Sequence, residues 1–185
     1  PTAGGAFSPQ QAVLERLEIT KFRGQDVRTR GVATTIAAAG VIMYDALQNI
    51  CRDVLVSYCG HGFYMATTQN CRIENCVAVY SDKFALIAFD NENLVVDKCD
   101  LLNAGDGVVD PGYPVTSFSW GSGVVLSYQN DSFVLKNSKL KNINAGSALI
   151  RSFLSVNDVY DSNWIRADTL TDTTHKAFYI QSSYN

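Results

Sequence analysis

Histidine is scarce in this 185-residue chain, with only two, and the five cysteines are odd in number and follow no metal-ligand spacing. No metal and no cofactor is therefore expected. Basic charge is also thin: 15 Lys plus Arg against 18 Asp plus Glu give a net charge of −3, and the cations are scattered. That distribution lacks the basic footprint of a phosphate-backbone binder, so nucleic acid is not an expected partner. No apolar run approaches the roughly 20 residues of a membrane-spanning helix. The start lacks the charged-then-apolar form of a signal peptide. It is Pro rather than Met, which is read as a processed product or an excised fragment.

What is present is a repeat. Apolar content of 46% and aromatic content of 11% suffice for one core, and the length fits one domain. Across residues 40–102, Gly40-Val41-Ile42-Met43-Tyr44 overlies Gly62-Phe63-Tyr64-Met65-Ala66 and then Phe84-Ala85-Leu86-Ile87-Ala88, at an offset of 22 each time. The second half of the unit overlies in the same way, Cys51 to Val56 on Ile73 to Ala78 and, with one extra residue, on Val96 to Leu101. Polar turns at Gln48-Asn49, Gln69-Asn70 and Asn91-Glu92-Asn93 separate the halves. A unit this short cannot bury its apolar face alone, so the units must stack on one continuous core.

The pattern extends in both directions. Leu17 and Ile19 alternate with charges and read as a strand of an earlier coil, after an irregular cap over residues 1–13. The alanine-rich end of residues 23–39 could form a helical turn. Beyond residue 103, a 16-residue insertion restores the match: Gly123-Val124-Val125-Leu126 and Phe133 to Ser138 both fall at an offset of 39. A further 24 residues bring Ser147-Ala148-Leu149-Ile150 and Val159 to Ser162, and a last strand follows at Ala177. Two apolar columns result, Cys51, Ile73, Val96, Leu135, Val159 and Val56, Ala78, Leu101, Leu140, Trp164. Asp53, Asn75, Lys98, Asn137 and Asp161 make a polar one. Cys76 and Cys99 share a column with Val54 and read as small core hydrophobes.

Columns that survive an insertion indicate an all-β parallel β-helix, a solenoid of about six coils of 22–24 residues over residues 14–185, with strands about 4.8 Å apart. A globular sandwich explains the alternation but not the columns. The long interruptions, residues 23–39, 104–122 and 167–176, all lie between the second strand of one coil and the first of the next. They should project from one edge, with the short returns at residues 58–61 and 80–83 between them as a groove floor. Tyr58 should stack on Tyr80 and His61 on Lys83, with Asp82 alongside; the middle insertion adds Asp106, Asp110, Tyr113, Phe118 and Trp120. Aromatic rings beside carboxylates and amides suit a carbohydrate ligand.

Tyr58, Tyr80, Tyr113, Phe118 and Trp120 are thus the candidate substrate-binding residues, and His61, Asp82, Lys83, Asp106 and Asp110 the candidate catalytic ones. A glycoside hydrolase needs two carboxyl groups roughly 5 to 9.5 Å apart, which Asp82 with Asp106 or Asp110 would supply. A polysaccharide lyase or epimerase needs a base and a cation, which His61, Lys83 or a tyrosine would supply. A solvated charged face with no catalysis is the plain alternative.

Coil length and Asn-bearing turns over residues 14–184 make the chain resemble the right-handed parallel β-helix superfamily of pectate lyases, polygalacturonases and bacteriophage tailspikes. Gly60-His61-Gly62 matches the Gly-His-Gly of polygalacturonases. The coil before it, however, holds Ala38, Ala39 and Gly40 in place of their carboxylates, and Arg72-Ile73-Glu74 lacks their lysine. The free cysteines and the Ser/Thr/Asn-rich outer face are most like tailspike depolymerases. That resemblance implies a right-handed coil, a homotrimer, a virion-tail or extracellular location, and binding of bacterial surface polysaccharide with or without cleavage. A structural or adhesin segment is the alternative.

Overall fold

The computed structural model describes residues 11–21, 39–104, 123–142, 149–167 and 177–181, and every regular element among them is a β-strand. The strands form three parallel faces. The first is β1 (Val13–Glu15), β4 (Ile50–Arg52), β6 (Arg72–Glu74), β8 (Val95–Asp97), β11 (Val134–Lys136) and β14 (Val159–Asp161), paired in that order. The second is β2 (Glu18–Thr20), the leading halves of β5 (Leu55–Ala66) and β7 (Val77–Phe89), β9 (Asp100–Ala104), β12 (Lys139–Asn142) and β15 (Trp164–Ala167). The third is β3 (Ala39–Tyr44), the trailing halves of β5 and β7, β10 (Gly123–Tyr128), β13 (Ile150–Phe153) and β16 (Phe178–Gln181). Six parallel strands per face make the solenoid that the columns indicate.

Corners are made by single residues in left-handed backbone. Asp45, Thr67, Asp90, Gln129 and Leu154 end the third face, and Gln11, Gln48, Asn70, Asn93, Ser132 and Asn157 precede the first. Arg16, Asp53, Asn75, Lys98, Asn137 and Ser162 separate the first from the second, and Lys21, Tyr58, Tyr80 and Asn103 mark the end of the second. Asn and Asp tolerate positive φ because their short side chains bond locally, which explains the Asn-bearing turns.

The columns read from sequence hold through Leu135 and Leu140 and then slip by one. Leu135 pairs with Tyr160 and Leu140 with Ile165, an offset of 25 rather than 24, so Val159 and Trp164 face outward and are about half exposed. Ser162, not Asp161, completes the polar corner column. On the third face Phe63 pairs with Leu86 at an offset of 23, Val125 with Ile150 at 25, and Ile150 with Phe178 at 28.

The interior is a continuous apolar core from Val41 to Ile150 that includes all five cysteines as free, buried thiols. Cys51 and Cys76 sulfurs lie 3.9 Å apart, and that hydrogen bond together with burial pushes the Cys51 thiol up. One inner corner is polar. Thr68 N and Oγ1 donate to Asn91 Oδ1, Asn91 N and Nδ2 donate to Asn130 Oδ1, and Asn130 N donates to Ser155 Oγ. Their amides also donate to Met65 O and Ala88 O. This ladder satisfies buried backbone that the sharp corner would otherwise strand without a partner.

Candidate functional site

The corner between the second and third faces is where coils differ. In four of the six the chain leaves the described structure there, after Lys21, Ala104, Asn142 and Ala167, and resumes at Ala39, Gly123, Leu149 and Ala177. The third of these gaps, residues 143–148, lies in a stretch that the sequence reading took as part of a regular 24-residue coil. In the other two coils β5 and β7 run through without a break, so residues 58–61 and 80–83 are strand rather than short returns.

Tyr58 and Tyr80 occupy that corner. Both hold left-handed backbone, at φ 55° and 57°, and their rings stack with centroids 5.0 Å apart at 23°. Tyr58 is 41% exposed and Tyr80 half-buried. A bulky residue at positive φ costs about 1–2 kcal/mol, and Asn103 in the same column shows that an ordinary left-handed residue fits there. Two aromatic side chains are kept at a strained, solvent-facing position, where strain is a pointer to function.

The polar candidates lie deeper. β7 carries one residue more than β5 at this point: Cys59 pairs with Ser81 but His61 pairs with Phe84, so Asp82 and Lys83 both fall opposite Gly60 as a bulge. The expected stacking of His61 on Lys83 is therefore corrected. His61 lies over Phe84, with ring centroids 6.3 Å apart at 15°, and near Tyr64 at 6.5 Å. Asp82 and Lys83 are each 1% exposed and His61 2%. Phe84 and Tyr64 belong to a second apolar cluster on the outer side of the third face, with Ala39, Ala66, Ile87 and Leu126. Burial there pushes the Tyr64 phenol up, with a smaller contribution from Tyr44.

Asp106, Asp110, Tyr113, Phe118 and Trp120 lie outside the described residues, as do residues 23–38, where a helical turn was expected. What the sequence reading missed is a polar group inside the stack, Asp158 with Ser127, Ser152 and Tyr160. The one-residue slip hid it, because only the 25-residue offset places Asp158 in line with Phe133.

A family model described as "Right handed beta helix region" matches residues 18–184. Comparison with curated proteins and with solved structures gave no match. Three parallel faces, one-residue corners and a family match over nearly the whole length lead to one conclusion: the chain belongs to the right-handed β-helix family.

Proposed function

We propose that this β-helix binds carbohydrate at the corner between its second and third faces, in the manner of a tailspike recognising bacterial surface polysaccharide. The observation that carries the reading is the strained Tyr58–Tyr80 stack, with Tyr58 exposed and Tyr80 half-buried, beside the points where the insertions leave. Aromatic edges and phenol hydroxyls offer a sugar both apolar contact and hydrogen bonds. Tyr113, Phe118 and Trp120 of the 105–122 insertion are the proposed further contacts. A homotrimer displayed on a virion tail or outside the cell is part of the same reading.

Burial of His61, Asp82 and Lys83 favours binding without cleavage. A non-catalytic structural or adhesin segment, in which this corner is incidental, is the alternative. Hydrolysis through Asp82 with Asp106 or Asp110, or a lyase or epimerase reaction through His61 and Lys83, is the catalytic alternative. Screening capsular and O-antigen polysaccharides for binding, with the same mixtures analysed for released oligosaccharide, tests the proposal. Binding of a subset without release supports the reading, release supports the catalytic alternative, and no binding across a broad panel contradicts both and supports the structural segment. Light scattering checks the trimer: a monomeric mass contradicts it.

A further inference from the structure

Asp158 occupies an unusual place for a carboxyl. The backbone pairing puts it in line with Asn49, Cys71, Leu94 and Phe133, a column that faces the interior. Its Oδ2 accepts hydrogen bonds from Ser127 Oγ at 2.8 Å, Tyr160 Oη at 3.0 Å and Ser152 Oγ at 3.1 Å. Its Oδ1 is buried and has no hydrogen-bond partner among the described residues. Ser127 lies on β10, Ser152 on β13 and Tyr160 on β14, so one carboxyl ties together the last three coils.

Among the described residues, no cation faces Asp158. Asn130 Nδ2 donates to Ser127 Oγ at 2.8 Å, and Ser155 Oγ lies 3.1 Å from the same hydroxyl. Tyr160 is boxed edge-on between Phe133 and Phe178, at centroid distances of 6.0 and 5.6 Å. Among the described residues, Tyr160 is the one titratable group facing Asp158; β10 and β13 present serines, and the inner corner presents Asn130 and Ser155. The Tyr160 phenol is itself pushed up by burial and by Asp158, so it stays a donor throughout the physiological range.

We infer that Asp158 is a proton-operated latch on the last coil, closing β14, β15 and β16 onto the stack when protonated and loosening them when ionised. Asp158 as a whole is half-buried, but an ionised carboxylate leaves its buried Oδ1 without a partner among the described residues, which is costlier than an exposed charge. Protonation removes the charge while Oδ2 keeps its donors. Burial pushes the Asp158 carboxyl up, and the three hydroxyls only partly offset that. The sign follows from linkage. The folded chain holds this proton more tightly than the unfolded one, so the last coil is most stable at acidic pH. It loses stability as pH rises from the ordinary carboxyl value through the folded one.

Hydrogen exchange of the intact chain from about pH 3.5 to 8, corrected for intrinsic exchange, tests this. Protection in residues 149–167 and 177–181 is expected to fall with rising pH by up to about tenfold per unit of upward displacement. Residues 50–89 should not follow. Asp158→Asn should be protected at every pH with no slope. Tyr160→Phe removes one donor to the carboxylate and should move the midpoint to higher pH, whereas a purely structural tyrosine would change protection without moving the midpoint. An unchanged slope in Asp158→Asn, an unmoved midpoint in Tyr160→Phe, or equal loosening along the whole stack would overturn the latch.

Discussion

Gly62 shows how one missing atom sets the spacing of two coils. A Cβ there would lie 2.7 Å from Ala78 Cβ and would strike the Ala85 carbonyl oxygen. Gly62→Ala should therefore destabilise by about 1–3 kcal/mol, the usual range for overpacking, as read by chemical denaturation. Leu154 makes the opposite case. It is a branched apolar residue in left-handed backbone, at φ 54°, at a corner where the other coils have Asp45, Thr67, Asp90 and Gln129. Leu154→Asn should stabilise by about 1 kcal/mol through relief of that strain, as a rise in melting temperature. The glycines and asparagines were visible in the sequence as repeat punctuation. That Gly62 answers to a carbonyl of the next coil was not, because close approach between coils leaves no periodic mark.

At the scale of the strand and its corner, the asparagine ladder is the sharpest target. Asn91→Ala would leave Thr68 N and Oγ1 and Met65 O without their partners while opening space beside Asn130. Each stranded buried group costs about 1–3 kcal/mol, so the loss should exceed that of any exposed Asn→Ala in the outer turns, such as Asn93→Ala, by about 3 kcal/mol. Matched urea titrations of the two variants check the difference. Sequence columns located these corners well, since apolar residues recur where the coil is regular. They failed by one residue where β7 carries its bulge and again after Leu135. A register slip of one turns inward side chains outward, so Val159 and Trp164 were assigned to the core and Asp158 was overlooked. A bulge adds a residue without altering the apolar pattern on either side of it, which is why Asp82 and Lys83 read as two ordinary positions of a return.

Across the whole molecule, the fold was legible because a solenoid writes its architecture into offsets: two independent matches at 39 residues survive the insertion after Ala104. The site was legible only in part. The Tyr58–Tyr80 stack follows from the 22-residue offset, whereas the burial of His61, Asp82 and Lys83 depends on the bulge and on the outer apolar cluster, neither of which the pattern encodes. The binding proposal turns on why two tyrosines are kept in strained backbone. Replacing both, Tyr58→Gly with Tyr80→Gly, relieves about 1–2 kcal/mol of strain at each position and gives up stacking worth about 0.5–1.5 kcal/mol and some buried ring surface. Folding stability should stay within about 1 kcal/mol of the parent on that balance. Calorimetric titration of the parent and the double variant with a polysaccharide found in the binding screen is the most direct test. The expected result is at least tenfold weaker binding by the variant at a melting temperature within about 4 °C of the parent; equal affinity in the two proteins would contradict the assignment of this corner as the glycan site.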